Sequence, residues 1–289
     1  MSRPDWSIGK RNPALDLSRN VHFDIEINNL IASLLTSIDL HDYPLDINTY
    51  EAISSYYNIP IKNLAIGYGA TEVIERILRS FNIKNLYILA PTFEMITVYC
   101  ENININYSFI NSLDEAVDLT FSLYVVNPNG NNGAILDLTE IYKNFQYCIV
   151  DEVYADFDNT HSLLDIESDN LIIIKSLSKS LGVAGFRVGF CKSSFNNINK
   201  IQALRHSYVT SSLVNEIIPK IIFETPNVIK RMKKSKELLE GMFDCVESHG
   251  NYVLFKQPNA FTEKYGCKLV GGVYRMALLD RSLIYKCLV

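Results

Sequence analysis

The sequence predicts an α/β fold, with a mostly parallel central sheet in a large domain and a smaller α+β domain beside it. Three observations predict it. Short apolar runs alternate with helical patterns, polar and glycine-rich turns follow the ends of those runs, and the last third of the chain changes to a charged amphipathic helix with two further strand-like runs.

Taken in order, the candidate strands of the first part are NLAIG (63–67), NLYILA (85–90), FSLYVVN (121–127), YCIVDE (147–152), NLIIIKS (170–176) and RVGFCK (187–192). Each is a brief run too short for a buried helix and bounded by turn residues. TEVIERILRSF places Val73, Ile74, Ile77, Leu78 and Phe81 on one helical face, and PTFEMITVYCEN follows the second strand as another helix. Farther on, IKRMKKSKELLEGMF (229–243) reads as a charged amphipathic helix, and NYVLFK (251–256) and GGVYRMALLD (271–280) read as strands of the smaller unit. Neither an internal repeat nor a low-complexity linker interrupts the chain, so a hinge is expected to join the parts. The division expected is 40–212 for the large domain and 1–39 with 213–289 for the small one.

Composition bounds the function. With 289 residues, 48% of them hydrophobic, the chain can bury a full core. A formal net charge of −5 without a basic run argues against nucleic acid as a partner. No run approaches the ~18 apolar residues of a membrane span, and MSRPDWSIGKRNP lacks the apolar core of a signal peptide, so a cytoplasmic protein is expected. Six scattered cysteines without a CxxC suggest reduced, mostly buried residues, with neither a zinc site nor a disulfide framework.

In sheets of this kind ligands sit beyond the carboxyl ends of the strands, and the chemically notable residues fall there repeatedly. After the first strand, Gly67-Tyr68-Gly69-Ala70-Thr71-Glu72 opens a helix whose free amides and dipole suit a phosphate, although a tight turn accounts for it about as well. After the third comes Asn127-Pro128-Asn129-Gly130-Asn131-Asn132-Gly133, by itself a polar surface turn. The fourth ends in Asp151-Glu152-Val153-Tyr154, where the acid could equally cap a helix. The fifth runs into Ser176, Ser178 and Lys179, then through LGVAG to Arg187. A lysine withdrawn from water has a lowered pKa, which makes its amine a nucleophile towards an aldehyde.

Together these parts make one chemistry economical. A pyridine aldehyde cofactor needs a lysine to hold it, a carboxylate to keep its ring nitrogen protonated, a phenol on its ring oxygen and a phosphate anchor. Lys179, Asp151, Tyr154 and the Gly69-Ala70-Thr71 turn with Arg187 are of those types. On SLSKSLGVAGFRVGF, DEVYADF, APTFEMI and DYPLDINTYEAISSYYNI followed by GYGATEVIERIL, the chain resembles the class I and II aminotransferases of the fold type I pyridoxal phosphate enzymes. It is most similar to their histidinol-phosphate aminotransferase branch, with its threonine-phosphate decarboxylase relatives, and the resemblance runs from about Leu15 to Asp280.

The resemblance implies a pyridoxal 5'-phosphate enzyme moving an amino group between an amino acid or amino-phosphate and a 2-oxo acid. Lys179 would hold the cofactor and shuttle the proton, Asp151 would pair with the ring nitrogen, Tyr154 and Asn129 would face the ring oxygen, and Phe93 would stack on the ring. Ser176, Ser178 and Arg187 would join Gly69, Ala70 and Thr71 on the phosphate. The substrate carboxylate would meet Arg275, with Asn20 near it, and Tyr43 would reach the neighbouring site of a homodimer. Two departures stand out: the asparagine loop reads Gly130-Asn131-Asn132-Gly133 instead of ending in proline-threonine-glycine, and the C-terminal part is short, with Lys268 the nearest basic residue upstream of Arg275. A decarboxylase of a phosphorylated amino acid on the same scaffold is the alternative, and a non-catalytic protein keeping the fold is the third reading.

Overall fold

A computed structural model describes residues 15–35 and 38–288; the N-terminal stretch read above for a signal peptide lies outside the described residues. Helix α1 (Ile25–Leu34) is capped by Asp24, whose carboxylate accepts from the Ile27 amide, and α2 (Ile47–Tyr57) follows. Then come β1 (Leu64–Tyr68), α3 (Gly69–Ser80), β2 (Asn85–Leu89), α4 (Met95–Ile103), β3 (Asn106–Ile110), β4 (Ser122–Val126), β5 (Cys148–Asp151) and β6 (Leu171–Ser176). The short α5 (Leu177–Ser180) leads to β7 (Val188–Lys192), α6 (Phe195–Gln202), α7 (Ser212–Ile221) and α8 (Thr225–Met242). The chain finishes with β8 (Cys245–Val246), β9 (Tyr252–Phe255), α9 (Ala260–Tyr265), β10 (Lys268–Val270), β11 (Val273–Ala277) and α10 (Arg281–Leu288). Among the described residues no helix is long and apolar enough to cross a membrane.

Seven strands form the large sheet in the order β1-β7-β6-β5-β4-β2-β3. Pairs β6–β5, β5–β4, β4–β2 and β2–β3 are parallel, whereas β7 lies antiparallel between β6 and β1. The expected sheet is therefore present with one reversed strand, because the link between β6 and β7 is too short for a parallel crossover. β3 is an addition to the strands read from sequence. It is an edge strand with mostly exposed side chains, so it shows no apolar run. Strands β10-β11-β9-β8 form the second sheet, antiparallel throughout. One hydrophobic cluster joins both sheets, running from Ile53 and Leu64 through Ile217 and Met232 to Phe255 and Met276.

Strand alternation gives β5 and β6 two chemical faces. Opposite to the side of Asp151 and Ser176, Lys175 is buried with its Nζ 2.8 Å from Asp156 and 3.9 Å from Glu152, and 5.4 Å from the centre of the Tyr57 ring. Tyr57 donates to Asp156 at 2.7 Å, while Glu152 accepts from Ser162 and the Leu163 amide. Burial by itself would lower the Lys175 pKa; the Asp156 and Glu152 carboxylates outweigh it and raise it. Lys175→Met keeps most of the volume and strands the buried Glu152 and half-buried Asp156 carboxylates. It is expected to destabilise the fold by about 3–5 kcal/mol, read as a lowered midpoint in denaturant unfolding.

Candidate active site

The carboxyl ends of β1, β2, β4, β5 and β6 deliver the predicted residues to one region. Lys179 follows β6 by three residues, in α5, whose N-terminus is capped by the Ser176 hydroxyl accepting from the Ser178 amide. Its Nζ donates to the Asn20 carbonyl at 2.7 Å and is 3.4 Å from the Arg19 carbonyl. It also lies 5.7 Å from the centre of the Tyr154 ring. Burial lowers the Lys179 pKa to about 7, helped by the nearby Arg275 and Arg187 and opposed by Asp151. An amine so placed is largely neutral at a pH where an exposed lysine is fully charged.

Asp151 ends β5 and is buried. Its Oδ2 accepts from the Tyr124 hydroxyl at 2.8 Å and its Oδ1 from the Val153 amide at 3.3 Å. Burial raises its pKa to about 6, against the pull of the Tyr124 hydrogen bond. Tyr154 lies buried one turn on, its hydroxyl accepting from the Asn20 side-chain amide at 2.9 Å. Asn20 thus holds two of these groups, the lysine by its carbonyl and the phenol by its side chain, from a left-handed conformation with φ of 58°. Asn20, which the resemblance implies near the substrate, thus lies against Lys179 and Tyr154.

Gly69, Ala70 and Thr71 open α3, which has no side-chain cap, so its first amides are available to an anion. Arg187 reaches the same place from β7's leading turn, with φ of 56°. A Cβ on Gly69 would come within 2.2 Å of its Nη2, and one on Gly189 within 2.1 Å of the Ala70 nitrogen. These glycines let the strand, the guanidinium and the helix start close on one another. Ser176 donates to the Val188 carbonyl, while the Ser178 hydroxyl is buried with no partner among the described residues. A buried orphan hydroxyl beside an uncapped helix start and an arginine fits a phosphate group. The buried carboxylate and low-pKa amine fit the rest of pyridoxal 5'-phosphate.

The loop after β4 is bonded within itself and to the segment after β2. Asn129 spends its amide nitrogen on the Pro91 carbonyl at 2.6 Å and its amide oxygen on the Asn131 amide at 2.9 Å, so its side chain braces the loop. Gly130 lies against Tyr154, whose ring would be 2.5 Å from a Cβ there. Arg275, buried in β11, donates to the Gly130 carbonyl and to Asn131 Oδ1 at 3.0 Å, and its Nε has no partner among the described residues. Asn131 also donates to the Thr92 carbonyl at 2.8 Å, tying the arginine to the segment that carries the half-buried Phe93. Lys268 pairs with Glu94 at 2.5 Å. Tyr43 is not brought to this region: it is 73% exposed and stacks on Tyr208 with ring centres 4.6 Å apart. Tyr124 and Asn131 were missed in the sequence, one hidden as an apolar-strand aromatic and the other as a turn residue.

Comparison with known proteins places the chain in a family. The chain is 27% identical over 269 residues to the histidinol-phosphate aminotransferase of Caldanaerobacter subterraneus subsp. tengcongensis, covering 81% of this chain and 75% of that protein. It is also 27% identical over 274 residues to the one from Clostridium novyi, covering 81% and 74%. In fold it resembles the histidinol-phosphate aminotransferase of Clostridium acetobutylicum, with a TM-score of 0.75 at 17% identity over 94% of this chain and 95% of that one. The Sinorhizobium meliloti enzyme, solved with pyridoxal 5'-phosphate, superposes with a TM-score of 0.76 at 14% identity, covering 95% and 89%. Residues 41–260 match the family Aminotransferase class I and II, and the chain belongs to that family of pyridoxal-phosphate-dependent aminotransferases.

Proposed function

We propose that this aminotransferase acts on an α-amino acid or an amino-phosphate such as histidinol phosphate, with a 2-oxo acid as acceptor, through the site built around Lys179. The observation behind this reading is the Lys179 amine held on the Asn20 carbonyl at 2.7 Å and 5.7 Å from the Tyr154 ring, with Asp151, Arg187 and Arg275 near enough to act on its charge. The named relatives support the substrate class, being histidinol-phosphate aminotransferases.

Gly69, Ala70, Thr71, Ser176, Ser178 and Arg187 would hold the cofactor's phosphate, Asp151 its ring nitrogen, Tyr154 its ring oxygen and Phe93 its ring face. When bound, pyridoxal phosphate supplies an aldehyde for the substrate amine and an electron-withdrawing ring that stabilises negative charge at the substrate Cα. Lys179, with its amine neutral, would take the proton from the substrate Cα as a general base and, as a general acid, deliver it to the cofactor carbon that carried the aldehyde. The Asn20 carbonyl gives the free amine a fixed resting place between these steps. Asp151, ionised, would keep positive charge at the ring nitrogen, and Tyr154 would donate a hydrogen bond to the ring oxygen. Arg275 orients the substrate through the guanidinium edge that carries its unpartnered Nε.

The division into domains at residues 40 and 212, the cytoplasmic location and a homodimer belong to the same proposal. For the dimer, the exposed Leu40, Tyr43, Leu45, Ile47, Phe195 and Tyr208 offer apolar surface to a second copy. A monomeric mass in solution would overturn that part.

An absorbance spectrum of the purified protein, followed by a screen of amino donors, tests the reading: keto-acid formation supports it, and carbon dioxide release without keto acid replaces it with decarboxylation. Arg275→Ala is expected to lose roughly 10²-fold or more in kcat/KM towards α-amino acids, since each charge-assisted hydrogen bond is worth about 1.5–3 kcal/mol. An amine without a carboxylate should be handled almost equally by both enzymes. Unchanged kcat/KM for amino acids would remove Arg275 from substrate binding.

A further inference from the structure

Tyr124 holds a place in β4 that packing alone does not explain. It is fully buried in the cluster containing Ile149, Val126 and Tyr99, where a phenylalanine would fill the same space without carrying a hydroxyl into the interior. A buried phenol without a partner would cost stability, so the oxygen needs a reason to be there. The parallel register sets Tyr124 beside Ile149 and Val126 beside Asp151, so Tyr124 lies one strand over and two residues back from the carboxylate, on its side of the sheet. The ring spans that step, and its hydroxyl donates to Asp151 Oδ2 at 2.8 Å.

We propose that Tyr124 is a positioning residue for amino transfer, its phenol fixing the rotation of the Asp151 carboxylate and favouring its ionised form. The inference rests on the reading that Asp151 faces the cofactor's ring nitrogen. With Oδ2 occupied by the phenol and Oδ1 by the Val153 amide, the carboxylate is held by donors on both oxygens. A carboxylate deprived of the stronger donor binds a proton more readily. The proton shared with the ring nitrogen is then drawn towards Asp151, and the ring loses part of its electron-withdrawing power. The direction agrees with the pull that this hydrogen bond exerts on Asp151 against burial.

The test is Tyr124→Phe, which removes one oxygen and leaves the packed volume almost unchanged. In the cofactor-free protein, a ¹³C-NMR titration of labelled aspartate, with the Asp151 signal identified by its loss in Asp151→Asn, should show the Asp151 midpoint rising by about one unit or more. In the loaded enzyme kcat should fall roughly 10- to 100-fold. Adding Tyr124→Phe to Asp151→Asn should change kcat less than about twofold, because the effect runs through the carboxylate. Site-specific difluorotyrosine at 124, a stronger donor, should move the Asp151 midpoint downwards. An unmoved Asp151 titration, or an equal loss of kcat in the Asp151→Asn background, overturns the inference while leaving the role of Asp151 intact. Near-normal turnover of cofactor-loaded Asp151→Asn overturns the Asp151 reading itself, and this inference with it.

Discussion

Lys179→Ala is expected to lack measurable amino transfer while still taking up pyridoxal phosphate through its phosphate. Proton transfer by a placed base is worth roughly 10²–10⁴ in rate, and the loss of the only proposed attachment point for the aldehyde comes on top. The phosphate side does not involve the amine: α3's first amides, Ser178 and Arg187 remain, so a weakened, non-covalent association persists. Cofactor retained after gel filtration and the turnover rate check the two halves separately. A variant with wild-type turnover would sink the assignment. The parent should also show the amine's titration. Since attack requires the neutral form, the rate of cofactor loading should fall roughly tenfold per unit well below pH 7 and level off above it. In the cofactor-free protein Lys179 should contribute stability as the pH rises from about 7 towards the ordinary lysine value of 10.5, read as the difference in pH dependence between the parent and Lys179→Met. Over that window the unfolded chain binds a proton that folded Lys179 has released.

Asp151→Asn is expected to cost several orders of magnitude in kcat with the cofactor bound. The amide has nearly the shape of the carboxylate; its one oxygen can still accept from the Val153 amide while its nitrogen donates to the Tyr124 oxygen once that hydroxyl turns, so the fold around it should stand. What it lacks is the negative charge that keeps a ring nitrogen protonated, and an unprotonated pyridine is a poor electron sink. Turnover per mole of bound cofactor is the measurement, because a fall in loading alone would mimic the effect. Near-normal turnover would take Asp151 out of the role.

Most of the sheet was legible because its strands are buried on both faces and therefore read as apolar runs; β5 and β6 are wholly buried. The edge strand β3 was not, since NYSFI faces solvent, and the reversal of β7 depends on chain length between strands, which residue type does not encode. The site was legible where its chemistry is unusual for its surroundings. A lysine and an arginine framing LGVAG, or an acid ending an apolar strand, conflicts with the local pattern and so signals a function. Tyr124 sends no such signal, because a tyrosine in an apolar strand looks like core. Asn131 was silent for a related reason: asparagines in a polar loop are interchangeable in sequence, and only tertiary contacts show that Asn129 bonds the Pro91 carbonyl while Asn131 meets Arg275.

The grip of Asn20 on the site also bears on how the protein matures. Its bonds to Tyr154 and Lys179 bridge 134 and 159 residues of chain, and that of Arg275 to Gly130 bridges 145. Contacts so distant in sequence close late, since the entropy of the intervening loops is lost before the contacts repay it. The pairing of β1 with β7 spans a comparable length of chain, but the clasps are single side-chain hydrogen bonds, so the cleft can open locally while the sheet core stays closed. Cofactor that binds only the finished arrangement then draws the equilibrium towards it in proportion to its concentration. Cofactor concentration would thereby set how much of the chain holds the closed cleft, as well as how fast the enzyme works.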